Sequence, residues 1–396
     1  MSARDTSLPG VRRLAVCALA LLASCLFTLP SRATAAPADT DAGLNAAVAA
    51  RLDSTASRAV AAATATRIKV TRHTDAWAFG TAVLATAPGS PRLPEGRLFL
   101  AQRGTSGWRV TFDGEPAFTR LARSSPLMNT RERSLLSTEE TGRRTMSGGD
   151  FRTGMALPYA TGQSWTMAGG PHGWSGAAAP WSSLDFAGGD QIVRAVRAGT
   201  AYTMCTGWIR VLHDRGYATD YYHLWDNITA DGSPVSAGAF LGHTGTDVTC
   251  GGAANGRHVH FGLRHNDAYT DIAGHNLGKW VLQNGGGPYQ GSALYGSRRV
   301  TAGGALYNHG ALGLTQGVVD ANGGAALTRR TGPGTGYAAA GSLADGATVT
   351  ISCSRTGTTH TGRWGTTAWW HRLDDGTWVS DAFVWTGVDG PVNGTC

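Results

Sequence analysis

Lysine is nearly missing from this chain: among its 396 residues only Lys69 and Lys279 occur, and arginine carries the formal charge of +7. The arginines are scattered, with no basic helix and no aromatic-basic module, so the usual footprint of a nucleic-acid binder is absent. A pI near 9.3 instead suits contact with acidic polymers such as bacterial wall teichoic acids. No CxxC pair occurs, which argues against a thiolate zinc site. HExxH is absent, so no glutamate base of that kind is available, and the absence of GxSxG disfavours a serine hydrolase. No repeat of solenoid length is found.

What the chain does have is glycine: 56 residues, beside an ordinary 42% hydrophobic content. That combination favours a β-rich architecture of two or three domains. At the N-terminus Arg12-Arg13 precede an apolar run from Leu14 to Leu29, followed by Ala33-Thr34-Ala35. This layout predicts a secretory signal peptide over residues 1–35. A rival reading stays open, because Leu22-Ala23-Ser24-Cys25 resembles a lipoprotein box that would leave Cys25 lipidated; otherwise no stable membrane association is expected. Four cysteines remain beyond this segment, an even set for an oxidising compartment. Cys205 with Cys250 and Cys353 with Cys396 is the expected pairing, since each pair falls within one apparent domain.

Leu44, Val48 and Leu52 recur at four-residue spacing, which predicts a helix from residue 41 to about 65. Strand-like runs follow at Trp77–Ala85, Leu98–Gln102 and Trp108–Phe112, the last two joined by a Gly-rich turn. Residues 36–150 therefore read as a small α+β domain plus a polar linker from Asn129 to Asp150, in which Arg143-Arg144 would be easily cut if exposed. A pro-region and a plain structural appendage are both compatible with the absence of clustered His, Cys or acidic residues there. A Gly-rich central block, residues 151–300, holds the chemistry. Residues 313–396 form a final β-rich block, with Asp374-Asp375-Gly376 as a hairpin turn.

The strongest chemical signal is Gly256-Arg257-His258-Val259-His260-Phe261-Gly262. Alternation along a strand would aim His258 and His260 to one side and Val259 and Phe261 into the core. In Ser183-Leu184-Asp185-Phe186-Ala187 the same alternation aims Asp185 away from its apolar neighbours. Tyr221-Tyr222-His223-Leu224 places a histidine within an apolar strand, and Gly169-Gly170-Pro171-His172-Gly173 places one on a flexible turn. Each alone is weak, because a lone buried histidine is more often a satisfied structural residue. Together, without thiolates, they favour a His/Asp/His site for borderline-soft zinc.

The order His172, Asp185, His223, His258-Val259-His260 resembles the lysostaphin-type peptidase family M23, in particular its β-lytic and staphylolytic branch. The words SSLDF, YYHL, LGHTG and GRHVHF resemble its blocks in order, from about Leu157 to Gly296. Many members have a short HxxxD motif; here thirteen positions separate His172 from Asp185, a wider gap that resembles that branch. The resemblance implies an antiparallel β-sheet peptidase domain. It implies one zinc ion on His172, Asp185 and His260, with His223 and His258 catalytic and Tyr289 assisting the oxyanion. It further implies a secreted or wall-associated, monomeric endopeptidase that uses metal-activated water on peptidoglycan or Gly-rich peptides. The alternative is a non-catalytic wall-binding or regulatory protein with a peptidase-like fold. His213, His243, His265, His275 and His309 match no motif position and are expected to be structural or on the surface.

The C-terminal block resembles a bacterial SH3-type β-barrel through Leu327 to Tyr337, although Arg329 stands where a small apolar residue is usual. Trp369, Trp370, Trp378 and Trp385 would there form either a wall-binding face or a small core. The expected fold class is thus mainly β: a sheet-based peptidase domain between a small N-terminal α+β domain and an SH3-like barrel.

Overall fold

Alternation of side chains along antiparallel strands organises the central part of the protein. The computed structural model describes residues 38–55, 65–136, 149–324 and 326–396. The expected signal peptide and Arg143-Arg144 lie outside the described residues. Strand makes up 48% and helix 9%, so the protein is mainly β. No helix among the described residues is long and apolar enough to cross a membrane.

A nine-stranded sheet forms the centre. In spatial order it runs Asp231–Val235, Gly199–Cys205, Trp208–Leu212, Tyr217–Tyr222, Val259–His265, Ser183–Ala187, Ser164–His172 and Ala305–Tyr307, all antiparallel. The short strand Ala268–Tyr269 pairs with Val259–His265 off this path. The last strand of the sheet comes from beyond residue 300, past the boundary expected from composition. One face is dry: Leu184, Phe186, Ile209, Val211, Tyr221, Val259, Phe261 and Leu263 belong to a single buried cluster. Residues between them, including Asp185, Arg210, Asp220, Tyr222 and His260, point to the other face.

That second face is largely covered by the N-terminal unit. Helix Ala38–Thr55 packs Leu44, Val48 and Leu52 on a four-stranded sheet of Ala65–His73, Trp77–Ala85, Glu95–Gly104 and Gly107–Phe112. The opposite side of this small sheet presents Phe79, Val83, Leu98 and Leu100 to Tyr202, Met204, Trp208, Leu212 and Tyr222 of the central sheet. Within the segment expected to be a polar linker, Thr130–Leu136 is a helix. Its Glu132 is buried, accepting two hydrogen bonds from Arg72 at 2.7 and 2.9 Å and one from the Tyr202 hydroxyl at 2.7 Å. A polar composition conceals this role, because the charge is matched by residues far away in the chain.

The C-terminal unit is a seven-stranded sheet of separate strands. Trp370, Trp378 and Trp385 are buried and Trp369 is half-buried, so the four do not form one exposed face; Trp385 packs with Val281 and Leu294 of the central unit. Ser354, His371 and Asp381 form a hydrogen-bonded row at 2.9 and 2.8 Å. All three are buried and Ser354 Oγ also meets both backbone polar groups of Val392, so the row pins the C-terminal tail and is not a nucleophile. Disulfides join Cys205 to Cys250 and Cys353 to Cys396, as the even cysteine count and domain placement imply.

Where the two sheets meet lies a buried ion network. Arg210 donates to Asp220 through Nε at 2.9 Å and Nη2 at 3.0 Å, and to Asp113 of the N-terminal unit at 3.3 Å. Trp208 Nε1 and the Tyr269 hydroxyl fill the other positions around the Asp220 carboxylate, both at 2.9 Å. Burial works against ionisation of Asp220, but the charge and hydrogen bonds of Arg210 hold its carboxyl below the usual carboxylate range. Asp220→Ala should therefore strand a buried guanidinium and cost about 3–5 kcal/mol in denaturant unfolding. Because the folded pKa is depressed, the carboxylate's contribution is present above about pH 4, the unfolded range, and is lost as pH falls towards the folded value. The stability gap between wild type and variant should accordingly shrink below about pH 4; a gap that stays constant on acidification would contradict this account.

Candidate metal centre

The register of three neighbouring strands assembles the site. In the pairing of Val259–His265 with Ser183–Ala187, His260 stands directly opposite Asp185, and on its other side His260 stands opposite Tyr222. Gly169 of the strand Ser164–His172 is the residue opposite Asp185 across the remaining edge. A Cβ on Gly169 would lie 2.6 Å from Asp185 Oδ2, so only glycine lets the carboxylate lie across that strand. Beyond Gly169 the strand continues to His172, its last residue, which is buried. His172 is thus held at a strand end and not on the flexible turn that Gly-Gly-Pro suggested.

His172, Asp185 and His260 each offer a ligand atom, and the three atoms lie within 4.8 Å of one another. His260 Nδ1 is 2.9 Å from Asp185 Oδ1 and 3.4 Å from His172 Nε2. His172 Nε2 is 3.7 Å from Asp185 Oδ2. His172 donates its Nδ1–H to the Gly170 carbonyl at 2.7 Å, which leaves Nε2 unprotonated and turned to the cluster. Burial pushes the His172 imidazole down to about 4, so it is neutral at physiological pH. Burial opposes charge on Asp185, but the His260 hydrogen bond and the surrounding imidazoles hold its carboxyl well below the usual range. Two imidazole nitrogens and one carboxylate form a donor set that zinc accepts, so the residues present fit the expected metal.

Two further histidines flank this cluster. His258 Nε2 lies 3.7 Å from Asp185 Oδ1 and its Nδ1–H is donated to the Gly256 carbonyl at 2.9 Å. His223 donates its Nδ1–H to the Asp247 carbonyl at 2.8 Å, and its ring centroid is 4.9 Å from that of His258. His223 is not within a strand: the strand ends at Tyr222, and His223 has a φ of 67°. Burial first, then the nearby His260 and His258, push His223 down to about 3. Nor is His258 inside the strand that carries His260, which begins at Val259; it pairs by a separate bridge with Gly245. Tyr289 stacks on His172 with ring centroids 4.0 Å apart. Burial, then the Asp185 charge, raises its phenol pKa, so the hydroxyl stays protonated.

All six expected residues are therefore brought together. His213, His243, His265, His275 and His309 lie outside the cluster among the described residues. A residue that sequence reading missed is Trp174, two positions after His172. Its ring makes a T-shaped contact with His260 at 4.8 Å and stacks on Tyr269 at 4.9 Å. Its Nε1–H is donated to the Pro94 carbonyl of the N-terminal unit at 2.9 Å.

Residues 179–272 match the family described as peptidase family M23, a stretch that includes Asp185, His223, His258 and His260. The solved structure of pseudoalterin, described as an M23 metalloprotease from the deep sea, is 30% identical. It covers 39% of this chain and 97% of that one, with a TM-score of 0.37. Residues 179–272 of this chain form a peptidase family M23 domain. Protease LasA of Pseudomonas aeruginosa is 32% identical over 146 residues, 34% of this chain and 35% of that protein. The chain thus spans about a third of the length of that relative. The beta-lytic metalloendopeptidase of Lysobacter enzymogenes is 25% identical over 146 residues, 34% of this chain and 82% of that protein. His172 and Tyr289 fall outside the stretch matched to the family; the fold brings His172 beside Asp185 and Tyr289 against His172.

The close approach at Gly169 gives a direct test of the carboxylate's position. Gly169→Ala should displace Asp185 and lower affinity for a divalent cation about 10- to 100-fold, read by metal titration of the full chain. Unchanged affinity would remove Asp185 from the ligand set.

Proposed function

We propose that this M23 protein is a secreted zinc-dependent endopeptidase that hydrolyses peptide bonds of bacterial peptidoglycan or of Gly-rich peptides. The observation that carries this reading is the convergence of His172, Asp185 and His260, with His223 and His258 alongside. Relatives named as a metalloprotease and a metalloendopeptidase support it. The signal-like N-terminus and two disulfides support secretion.

Bound by His172, Asp185 and His260, zinc would supply Lewis acidity and lower the pKa of a water towards about 7. His223 and His258 each commit Nδ1–H to a backbone carbonyl, so their Nε2 atoms are the ones able to accept a proton and return it to the leaving amine. The Tyr289 hydroxyl, kept protonated, is a donor for the developing oxyanion. Residues 36–150 act in this reading as a pro-region-like cover. Its loop around Leu93 and Pro94 bonds Ser175 and Trp174 beside the site, and Thr86 and Gly89 bond Cys250 and Gly252 on a second loop. Residues 313–396 are the wall-binding unit, on the resemblance of their 327–337 turn, where Tyr337 is 49% exposed.

Digestion of purified peptidoglycan by the mature protein should release peptide fragments whose masses identify the bond cut; intact wall and intact Gly-rich peptides would refute the function.

Ligands and proton carriers should separate by variant. His260→Ala should lose zinc together with activity. His258→Ala and His223→Ala should keep near-stoichiometric zinc while turnover falls about 10²–10⁴-fold. Elemental analysis beside peptide cleavage reads both. Metal loss in His258→Ala with retention in His260→Ala would invert the roles.

A further inference from the structure

Few large apolar side chains are exposed, and one of them, Trp225 at 38%, stands two residues after His223. Its backbone is tied to His243 by reciprocal hydrogen bonds of 3.0 and 2.8 Å. Its indole lies against Gly245, where an added Cβ would come within 2.6 Å of the ring and 2.4 Å of the His223 carbonyl. Gly245 in turn exchanges backbone hydrogen bonds with His258 at 3.1 and 3.2 Å. The indole is thereby fixed to the same backbone that carries both histidines assigned to proton transfer.

Arg257, immediately before His258, completes the feature. Its guanidinium lies 4.6 Å from the centroid of the Trp225 ring. Nε and Nη2 donate to the Thr244 carbonyl at 3.3 and 3.1 Å, which orients the fork. No carboxylate pairs with Arg257 among the described residues. The nearby Asp226 carboxylate faces His243 at 3.6 Å instead. An arginine held by stacking and by one carbonyl, with Nη1 still able to donate, is pre-organised for a planar anion. Aromatic stacking and the carbonyl also remove rotamer freedom that an unsupported surface arginine would lose on binding.

We propose that Arg257, seated on Trp225, is a specificity-determining residue that binds a carboxylate of the peptide substrate close to the scissile bond. This rests on the peptidase function proposed above and deepens it, naming an acidic peptide as the preferred substrate. Adjacent residues are about 3.8 Å apart along the chain, so a guanidinium next to His258 reaches roughly one or two substrate residues from the reacting carbonyl. Wall peptides that carry free carboxylates have the chemistry this position recognises. The excess of arginine over acidic charge adds a long-range attraction for the same substrates.

The test uses the full, zinc-loaded chain and fluorescent Gly-rich peptides. Each peptide carries one glutamate at a scanned position near the expected cleavage point and is paired with its glutamine counterpart. Affinity by fluorescence anisotropy and kcat/KM by cleavage are measured for each pair. At one or two adjacent positions the glutamate member should be favoured about tenfold, the scale of one charge-assisted hydrogen bond at a partly exposed site. In cleavage the preference should reside in KM. Arg257→Gln should bring the glutamate-to-glutamine ratio close to one, and Arg257→Lys should restore part of it. A wild type without preference at any position, or a preference that survives Arg257→Gln, overturns the proposal. Failure to cleave every peptide would sink the peptidase reading, while an Arg257-dependent binding preference would still uphold the carboxylate site.

Discussion

The antiparallel register that sets His260 opposite Asp185 is the constraint on which the site depends. Side chains alternate with a period of two, so a slip of one residue would turn Val259, Phe261 and Leu263 out of the dry face and put His260 into it. Each large apolar side chain returned to water would cost about 1.5–3 kcal/mol. The buried imidazole and carboxylate would add an unpaired-polar penalty. Hydrophobic burial on one face therefore positions chemistry on the other. This explains why a residue with no role in catalysis, such as Phe261, is as necessary to the geometry as His260.

Trp174 marks the boundary between the two uses of that second face. On one side are His260 and the candidate metal site; on the other are Trp208, Tyr222 and the N-terminal unit. The aromatic part of the face is too large and too apolar to be left in water, and the N-terminal unit buries it. The Arg210–Asp220–Asp113 network crosses the same seam and makes the contact specific, because an ill-fitting partner would leave buried charges unpaired. The loop at Leu93–Pro94 of the N-terminal unit is held by hydrogen bonds to Ser175 and Trp174, beside His260.

Much of the site was legible because its motifs obey strand alternation: Leu184 and Phe186 flank Asp185, and Val259 and Phe261 flank His260. Departures from alternation were what the sequence concealed. Gly169-Gly170-Pro171 reads as a turn, yet Gly169 is a strand residue, kept small by the Asp185 carboxylate above it. Tyr221-Tyr222-His223-Leu224 reads as continuous strand, yet the chain turns at His223 with positive φ and so directs the ring towards His258. Tryptophan content alone cannot distinguish a binding face from buried packing, and in the C-terminal unit Trp370, Trp378 and Trp385 are buried. Buried charges such as Arg210 and Glu132 look like surface residues until partners more than fifty positions away are known.

Tautomer control completes the logic of the site. His172, His223 and His258 each donate Nδ1–H to a carbonyl, two residues back for His172 and His258 and from Asp247 for His223. Each therefore turns its Nε2 away from its anchor. His260 is set the other way, with Nδ1 beside Asp185 and Nε2 buried without a hydrogen-bond partner against Trp174. With Nδ1 as a ligand, the ring proton would reside on Nε2, beside the Trp174 ring. The strand thus fixes His260 through its backbone register, while the other three histidines are fixed through their own side-chain hydrogen bonds. Proximity to the carboxylate then divides the HxH pair: His260 lies 2.9 Å from Asp185 and His258 lies 3.7 Å away. In the function proposed above, the nearer imidazole would share a cation with Asp185 and the farther one would keep its lone pair for a proton.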